Sequence, residues 1–305
     1  MPTEKLNRIV SLKIGGPAGA GVKSVGLMFA KIAVRSGYQV YDNIEYPSLI
    51  RGGHNVMQIN FSSREVTAPR KVSDLLIAFD HETIDTHLSE LIPGGGVIFD
   101  IDRGYDTSKV GKDILLYGIP LSKLAHEAGE NELFINIVAL GATVALLGGN
   151  LEILRELVEE EFGDKGFDIV NDDKQAAQSG YDYILEKYKD SIKDYLKPVE
   201  DSFALTSYMI LSGNEAAALG AISAGMQFAS IYPMSPISNI LHVLAANQEK
   251  FGYIYKQPED EISAITMAIG ASYAGVRSMT ATSGGGFCLM TEGYGLAGMT
   301  ETPLV

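Results

Sequence analysis

Residues 75–79 (Leu-Leu-Ile-Ala-Phe) and 97–101 (Val-Ile-Phe-Asp-Ile) are almost wholly apolar. A strand with one wet face alternates apolar and polar residues, so runs of this kind belong to a sheet covered on both faces, which is the habit of parallel sheets flanked by helices. The helices are present in the pattern: residues 22–36, 82–91, 136–147 and 151–162 carry apolar residues at helical spacing. The Gly-Gly-Asn at 148–150 reads as the turn between the last two. Further strands are predicted at 8–14, 39–41, 55–61 and 114–117. Strands alternating with helices define one α/β unit over the first ~160 residues.

A chain of 305 residues has length for about two domains. Residues 168–195 are charged and helical in period, and they run into the acidic, Pro-containing 196–201 (Leu-Lys-Pro-Val-Glu-Asp), the best candidate linker. The expected organisation is therefore 1–195 as the first domain, 196–206 as linker and 207–305 as the second domain. A net charge of −14 and a pI of about 4.8 repel phosphate backbones and anionic lipid, so neither nucleic acid nor a membrane is an expected partner. The N-terminal residues carry no apolar signal core, and no apolar run reaches the ~18 residues of a membrane span, which makes a cytoplasmic location the expectation. A lone cysteine, Cys288, excludes a disulfide framework and a Cys-ligated iron–sulfur cluster built from this chain by itself. It is expected to be a small buried hydrophobe.

After the first strand comes Gly15-Gly16-Pro17-Ala18-Gly19-Ala20-Gly21, then a helix, an arrangement that points backbone N–H groups and a positive dipole end at an anion. It misses two phosphate motifs narrowly. Lys23 is out of register for a P-loop, and Ser24 stands where the third glycine of a dinucleotide turn would be. Asp42, at the end of the next predicted strand, mimics a ribose-binding acid, which leaves a nucleotide-binding dehydrogenase as one alternative. Residues 42–54 are expected to form a long loop, and such loops are uncommon unless functional. Within it Arg51, beside Gly52 and Gly53, has room to receive a planar anion; a surface ion pair for Arg51 and a structural role for His54 are the plainer readings.

In the second half, Ser212-Gly213-Asn214-Glu215 caps a helix rich in Ala and Gly. The stretch Ser230-Ile231-Tyr232-Pro233-Met234-Ser235-Pro236 reads as a strand stopped by two prolines. It holds the Ser235 hydroxyl at the carboxyl end of a strand, where ligands sit in open α/β sheets, with Ser238 as the expected N-cap of the following helix. A strand at 254–257 feeds Pro258-Glu259-Asp260-Glu261, placing three carboxylates in a helix's first turn, as the macrodipole favours. Ala264, Ala268, Gly270, Ala271 and Gly275 leave one side of that helix bare. A strand at 279–282 then meets a glycine turn, Gly284-Gly285-Gly286, before a helix at 287–297. The closing 301–305 reads as a strand just beginning, so the chain is expected to be a piece of a longer protein. No cluster of metal-ligating residues stands out.

The motifs Gly213-Asn214-Glu215-Ala216, Tyr232-Pro233-Met234-Ser235-Pro236, Glu259-Asp260-Glu261, Ala268-Ile269-Gly270-Ala271, Thr280-Ala281-Thr282-Ser283-Gly284 and Met299-Thr300-Glu301-Thr302-Pro303 resemble, in order and spacing, the pyrimidine-binding domain of 2-oxoacid:ferredoxin oxidoreductase α subunits. The first half, with its glycine run and Tyr46-Pro47-Ser48-Leu49-Ile50-Arg51-Gly52-Gly53-His54-Asn55, resembles the γ domain of the same family. The γ-before-α order is similar to the 2-oxoglutarate-type enzymes. Two departures stand out: Ser235 replaces the usual threonine, and Gly285 the usual proline.

The resemblance implies a γ-type α/β domain followed by the first part of a pyrimidine-binding domain, and oxidative decarboxylation of a 2-oxoacid, 2-oxoglutarate favoured, to acyl-coenzyme A with electrons passed to ferredoxin. It implies thiamin diphosphate as cofactor, with Mg²⁺ and a [4Fe-4S] cluster held by a partner β subunit in an αβ or (αβ)2 assembly. Glu261 is the implied catalytic carboxylate, with Glu259 second. Tyr232 and Pro233 join Glu261 in holding the cofactor, and Ser235, Arg51 and Ser48 are the implied substrate contacts. A non-catalytic scaffold subunit is the other alternative.

Overall fold

The computed structural model describes residues 8–45, 52–129, 134–199 and 209–305. The chain divides into two compact units, Met1–Ile210 and Leu211–Val305.

The first unit is built on a six-stranded sheet: β1 (Val10–Pro17), β2 (Gln39–Glu45), β3 (His54–Ser62), β4 (Ser73–Ala78), β5 (Leu91–Asp100) and β6 (Leu115–Ile119), in the order β2-β3-β1-β4-β5-β6. β1, β4, β5 and β6 run parallel, whereas β3 is antiparallel to both β1 and β2. Helices α1 (Val22–Arg35), α2 (His81–His87), α3 (Leu121–Ala128), α4 (Phe134–Leu146), α5 (Leu151–Phe162) and α6 (Phe167–Lys187) surround the sheet. Its central strand β1 is buried from Val10 through Gly16.

Several expectations shift. Gly15 and Gly16 belong to β1, so the glycine turn is confined to 18–21. Asp42 lies within β2, paired with Ile59, and β3 separates β2 from β1. A dinucleotide fold needs the acid at the tip of the strand beside the first one, so the dehydrogenase alternative loses its ribose-binding acid. The loop expected at 42–54 is shorter, because β2 runs to Glu45 and β3 begins at His54. The helix expected at 82–91 stops at His87, followed by a 3-10 turn, and β5 starts at Leu91. The ladder steps from Ser73↔Leu91 to Leu75↔Gly96, so Pro93 sits in a bulge, where a strand tolerates a missing donor. The short helix α3 has no counterpart among the sequence expectations. Of the expected linker, 196–199 belong to the first unit: Leu196 is fully buried in its core, and Val199 N–H donates to Ser36 O.

The helix α4 is buried on nearly every side, as a helix apolar all round must be. It crosses α6 so closely that a Cβ on Gly141 would lie 2.0 Å from Ala177 O, and one on Gly180 2.0 Å from Val138 O. Backbone meets backbone at this crossing, with no side chain between to give way.

The second unit has a three-stranded parallel sheet, β8-β7-β9, of β7 (Phe228–Ser230), β8 (Ile254–Lys256) and β9 (Ser278–Met279). It is connected by α7 (Gly213–Ser223), α8 (Ser238–Phe251), α9 (Glu261–Tyr273) and α10 (Gly284–Met299). Ser212 and Glu215 form a reciprocal capping box on α7. Ser238 is the first residue of α8 rather than its cap, since its hydroxyl donates back to Met234 O. The three glycines 284–286 open α10 instead of forming a turn before it.

Gly180→Ala forces a methyl into the α4–α6 backbone contact. Overpacking of this kind costs about 1–3 kcal/mol, so the urea midpoint of the first unit should fall accordingly; an unchanged midpoint would mean the helices can separate freely.

Candidate functional site

The carboxyl ends of β7, β8 and β9 release three turns at one edge of the second sheet, and hydrogen bonds tie two of them together. Thr280 Oγ1 donates to Ser230 O (2.8 Å), and Ser283 Oγ donates to Ser235 O (2.7 Å). Asn214 Nδ2, at the start of α7, donates to Pro236 O (2.7 Å). The turn 231–237 is thus fixed from two sides.

The third turn delivers the carboxylates, and the structure separates the three that the sequence put together. Glu259 is exposed ahead of the helix. Asp260 is the N-cap of α9, its side chain accepting from Ser263 N–H (2.6 Å), and that hydrogen bond holds its carboxyl below the usual range. Glu261 is 5% exposed. Among the described residues its carboxylate has no hydrogen-bond or ion-pair partner. A Cβ on Gly286, in the first turn of α10, would lie 2.1 Å from Thr282 Oγ1 and 2.8 Å from Glu261 Oε1. The two helix starts therefore meet across a bare glycine, with the Glu261 carboxylate beside it.

Tyr232 packs against the cluster of Ala264, Ile265, Ile269, Met290 and Ala297, while Pro233 and Ser235 are exposed. The Ser235 hydroxyl has no partner among the described residues. Ser48 and Arg51 lie outside them. Ala264 and Ala268 are buried, whereas Gly270 and Gly275 are exposed, so the small residues of α9 do not form a single stripe. Cys288 is exposed, contrary to expectation, on an outward side of α10 with Phe287 and Leu289. A cavity of about 630 Å³ opens between α10 and residues 301–305; it includes Thr282 in its wall but not Glu261.

In the first unit a second polar group forms at the end of β1. Lys13, 8% exposed, is ion-paired with Glu90; Glu90 Oε2 lies 3.0 Å from His87 Nδ1, and His87 Nε2 lies 3.1 Å from His54 Nε2. Burial pushes His87 below its ordinary pKa against the pull of Glu90. Burial works to raise Glu90, but the hydrogen bonds from Lys13 and His87 outweigh it and hold the carboxyl below the usual range. These residues come from three separate stretches, and apart from the i,i+3 pair of His87 and Glu90 nothing local in the sequence marks them as neighbours. Asp42, by contrast, has its carboxyl raised by burial.

The carboxyl edge of the second sheet thus carries a buried glutamate, without a hydrogen-bond or ion-pair partner among the described residues, against the bare backbone of Gly286. Residues 11–183 match the family described as pyruvate ferredoxin/flavodoxin oxidoreductase, and residues 219–305 match the thiamine-diphosphate-binding part, pyruvate flavodoxin/ferredoxin oxidoreductase. The chain belongs to the pyruvate ferredoxin/flavodoxin oxidoreductase family. It is 30% identical over an alignment of 347 residues to a 2-oxoacid:ferredoxin oxidoreductase subunit alpha of Sulfolobus sp, covering 97% of this chain and 53% of that one. It is 53% identical over 96 residues to the 2-oxoglutarate synthase subunit KorA of Archaeoglobus fulgidus, 32% of this chain and 28% of the other. A solved 2-oxoglutarate:ferredoxin oxidoreductase from Magnetococcus marinus, with 2-oxoglutarate, coenzyme A and succinyl-CoA bound, superposes with a TM-score of 0.86 at 31% identity, covering 99% of this chain and 52% of that one. The chain spans about half the length of the Sulfolobus and Magnetococcus proteins.

Gly286→Ala should displace either the Glu261 side chain or the start of α10, because its methyl has no free volume. A loss of about 1–3 kcal/mol from the second unit is expected, read by chemical denaturation; wild-type stability would mean that Thr282 and Glu261 swing aside at no cost.

Proposed function

We propose that the chain is part of a 2-oxoacid:ferredoxin oxidoreductase, with the unit Met1–Ile210 as its γ-type domain and Leu211–Val305 as pyrimidine-binding domain, and with 2-oxoglutarate as the favoured substrate. The observation that carries this reading is Glu261: a buried carboxylate without a hydrogen-bond or ion-pair partner among the described residues, packed against the bare backbone of Gly286, within the stretch that matches a thiamine-diphosphate-binding family.

These residues fit the cofactor's aminopyrimidine. A carboxylate taken out of water needs a hydrogen-bond partner, and among the described residues Glu261 has none, so a ring nitrogen of the cofactor would complete it. Thiamin diphosphate, when bound, supplies the nucleophilic carbon and the electron sink for decarboxylation. The chain's own part is to hold and move one proton. Glu261 would share that proton with the ring nitrogen as general acid and base. Tyr232, packed between α9 and α10, and Pro233, rigid in φ, shape the wall of the same edge.

Substrate recognition falls to Ser235, Arg51 and Ser48. A 2-oxoacid presents a carboxylate next to a carbonyl, groups that suit a hydroxyl such as that of Ser235 and a forked guanidinium such as that of Arg51. The oxidised product would leave as an acyl-coenzyme A with electrons delivered to ferredoxin, a [4Fe-4S] cluster supplying the one-electron chemistry. That cluster and the Mg²⁺ for the diphosphate belong to a partner β subunit in an αβ or (αβ)2 assembly in the cytoplasm. The match to relatives named 2-oxoglutarate synthase and 2-oxoglutarate:ferredoxin oxidoreductase supports the choice of substrate.

Glu261→Gln keeps shape but cannot cycle a proton. In the assembled enzyme, turnover and exchange of the cofactor's C2 proton should both fall by about 10²–10⁴; exchange at the wild-type rate would remove Glu261 from this role. Arg51→Ala removes a charged contact worth about 1.5–3 kcal/mol, so KM for the oxoacid should rise roughly ten- to a hundredfold with cofactor affinity unchanged, and Ser235→Ala should act the same way but less. A rise in KM for coenzyme A instead would assign the Arg51 loop to the acyl acceptor.

A further inference from the structure

His54, Asp80 and Glu82 each bring one ligand atom to within 4.8 Å of the other two. They meet where ligands collect in an α/β sheet, at the carboxyl edge of the parallel strands β1 and β4. His54 opens β3 opposite Pro17, the last residue of β1, and Asp80 caps α2 just after β4. We propose that this cluster binds a divalent cation of the zinc or iron class, through His54 Nδ1 and one carboxylate oxygen each from Asp80 and Glu82.

The hydrogen bonds fix which form His54 takes. A carboxylate can accept only, so His87 Nδ1 carries the hydrogen that points at Glu90 Oε2. The other nitrogen of a neutral His87 ring is then an acceptor, and His54 Nε2–H donates to it across 3.1 Å. That leaves a lone pair on His54 Nδ1, and this atom is buried with no hydrogen-bond partner among the described residues. A buried acceptor left unmade is costly. A histidine whose far nitrogen is anchored through a carboxylate-backed chain is the usual arrangement behind a metal ligand, and here the chain runs His54, His87, Glu90, Lys13.

The carboxylates are suited to complete it. Asp80 Oδ1 accepts from Thr83 N–H (2.8 Å) and Thr83 Oγ1 (2.6 Å), which locks its rotamer and leaves Oδ2 to coordinate. Glu82 is exposed, so it reaches the ion from the solvent side and closes a separation somewhat wider than ligands at ~2.0–2.2 Å from a metal require. An imidazole nitrogen selects zinc, iron or nickel over magnesium and calcium, and three protein ligands leave the remaining positions to water.

Co²⁺ is the probe. It is titrated into the chain in excess Mg²⁺, which occupies purely oxygen-lined sites, and followed by its visible ligand-field absorption and by equilibrium dialysis. One equivalent should bind, be displaced by Zn²⁺, and bind at least tenfold more weakly in both Asp80→Asn and Glu82→Gln. Asparagine still caps α2, and unchanged metal-free thermal unfolding certifies the fold of each variant. Glu90→Gln, which touches no metal, should weaken binding ten- to a hundredfold through the histidine chain. Absence of saturable Co²⁺ binding, or binding that survives either carboxylate substitution, overturns the proposal.

Discussion

Parallel strands cannot be joined by a tight turn; each must send its chain over a helix and back. In the second unit this constraint decides where chemistry can occur. The strands β7, β8 and β9 are only two or three residues long, yet because they run the same way all three release their turns at one edge. Each turn then enters a helix whose first N–H groups need partners. Asp260 satisfies the start of α9. The start of α10 is bare glycine, and at Gly286 the Thr282 and Glu261 side chains pack directly against its backbone. A carboxylate, a hydroxyl at Thr282 and an open backbone come together there without any long-range design beyond strand direction.

The same constraint operates in the first unit with a different outcome. Its parallel strands bury β1 on both faces, and Lys13 in the middle of that strand would be a costly isolated charge. Glu90 removes the problem by pairing with it, and the pairing extends through His87 to His54. Inserting the antiparallel β3 between β1 and β2 brings His54 to the edge where β1 ends. The strand that spoils the dinucleotide-binding topology is therefore the one that carries the histidine into the polar group.

Much of this was legible in the sequence, and the boundary of legibility is physical. The helix α5 (Leu151–Phe162), the capping box of Ser212 and Glu215, and the proline-broken turn at 231–237 are set by residues a few positions apart, where periodicity and capping rules act. Glu261 was readable as one of three acids at a helix start. Its separation from exposed Glu259 was not, since which side chain faces inward depends on how α9 lies against α10. The insertion of β3, the bulge that admits Pro93 into β5, and the outward position of Cys288 are tertiary outcomes of the same kind. The group at His54, Asp80 and Glu82 joins the start of β3 to the distant start of α2, and the short helix α3, only eight residues long, offers too little periodic signal to stand out. Leu196 was placed in a linker because its neighbours are polar, while a single leucine fully inside a core leaves no mark on local composition.

The backbone contact between α4 and α6 bears on time rather than on shape. Amide hydrogens exchange with water when the structure around them opens, and the openings range from frayed ends to whole cooperative units. The helix α4 is covered by its neighbours on nearly every side, and at Gly141 and Gly180 there is no side chain whose rotation could admit a water molecule. Its amides are thus sheltered from every local fluctuation, and their exchange keeps the clock of the first unit's global unfolding.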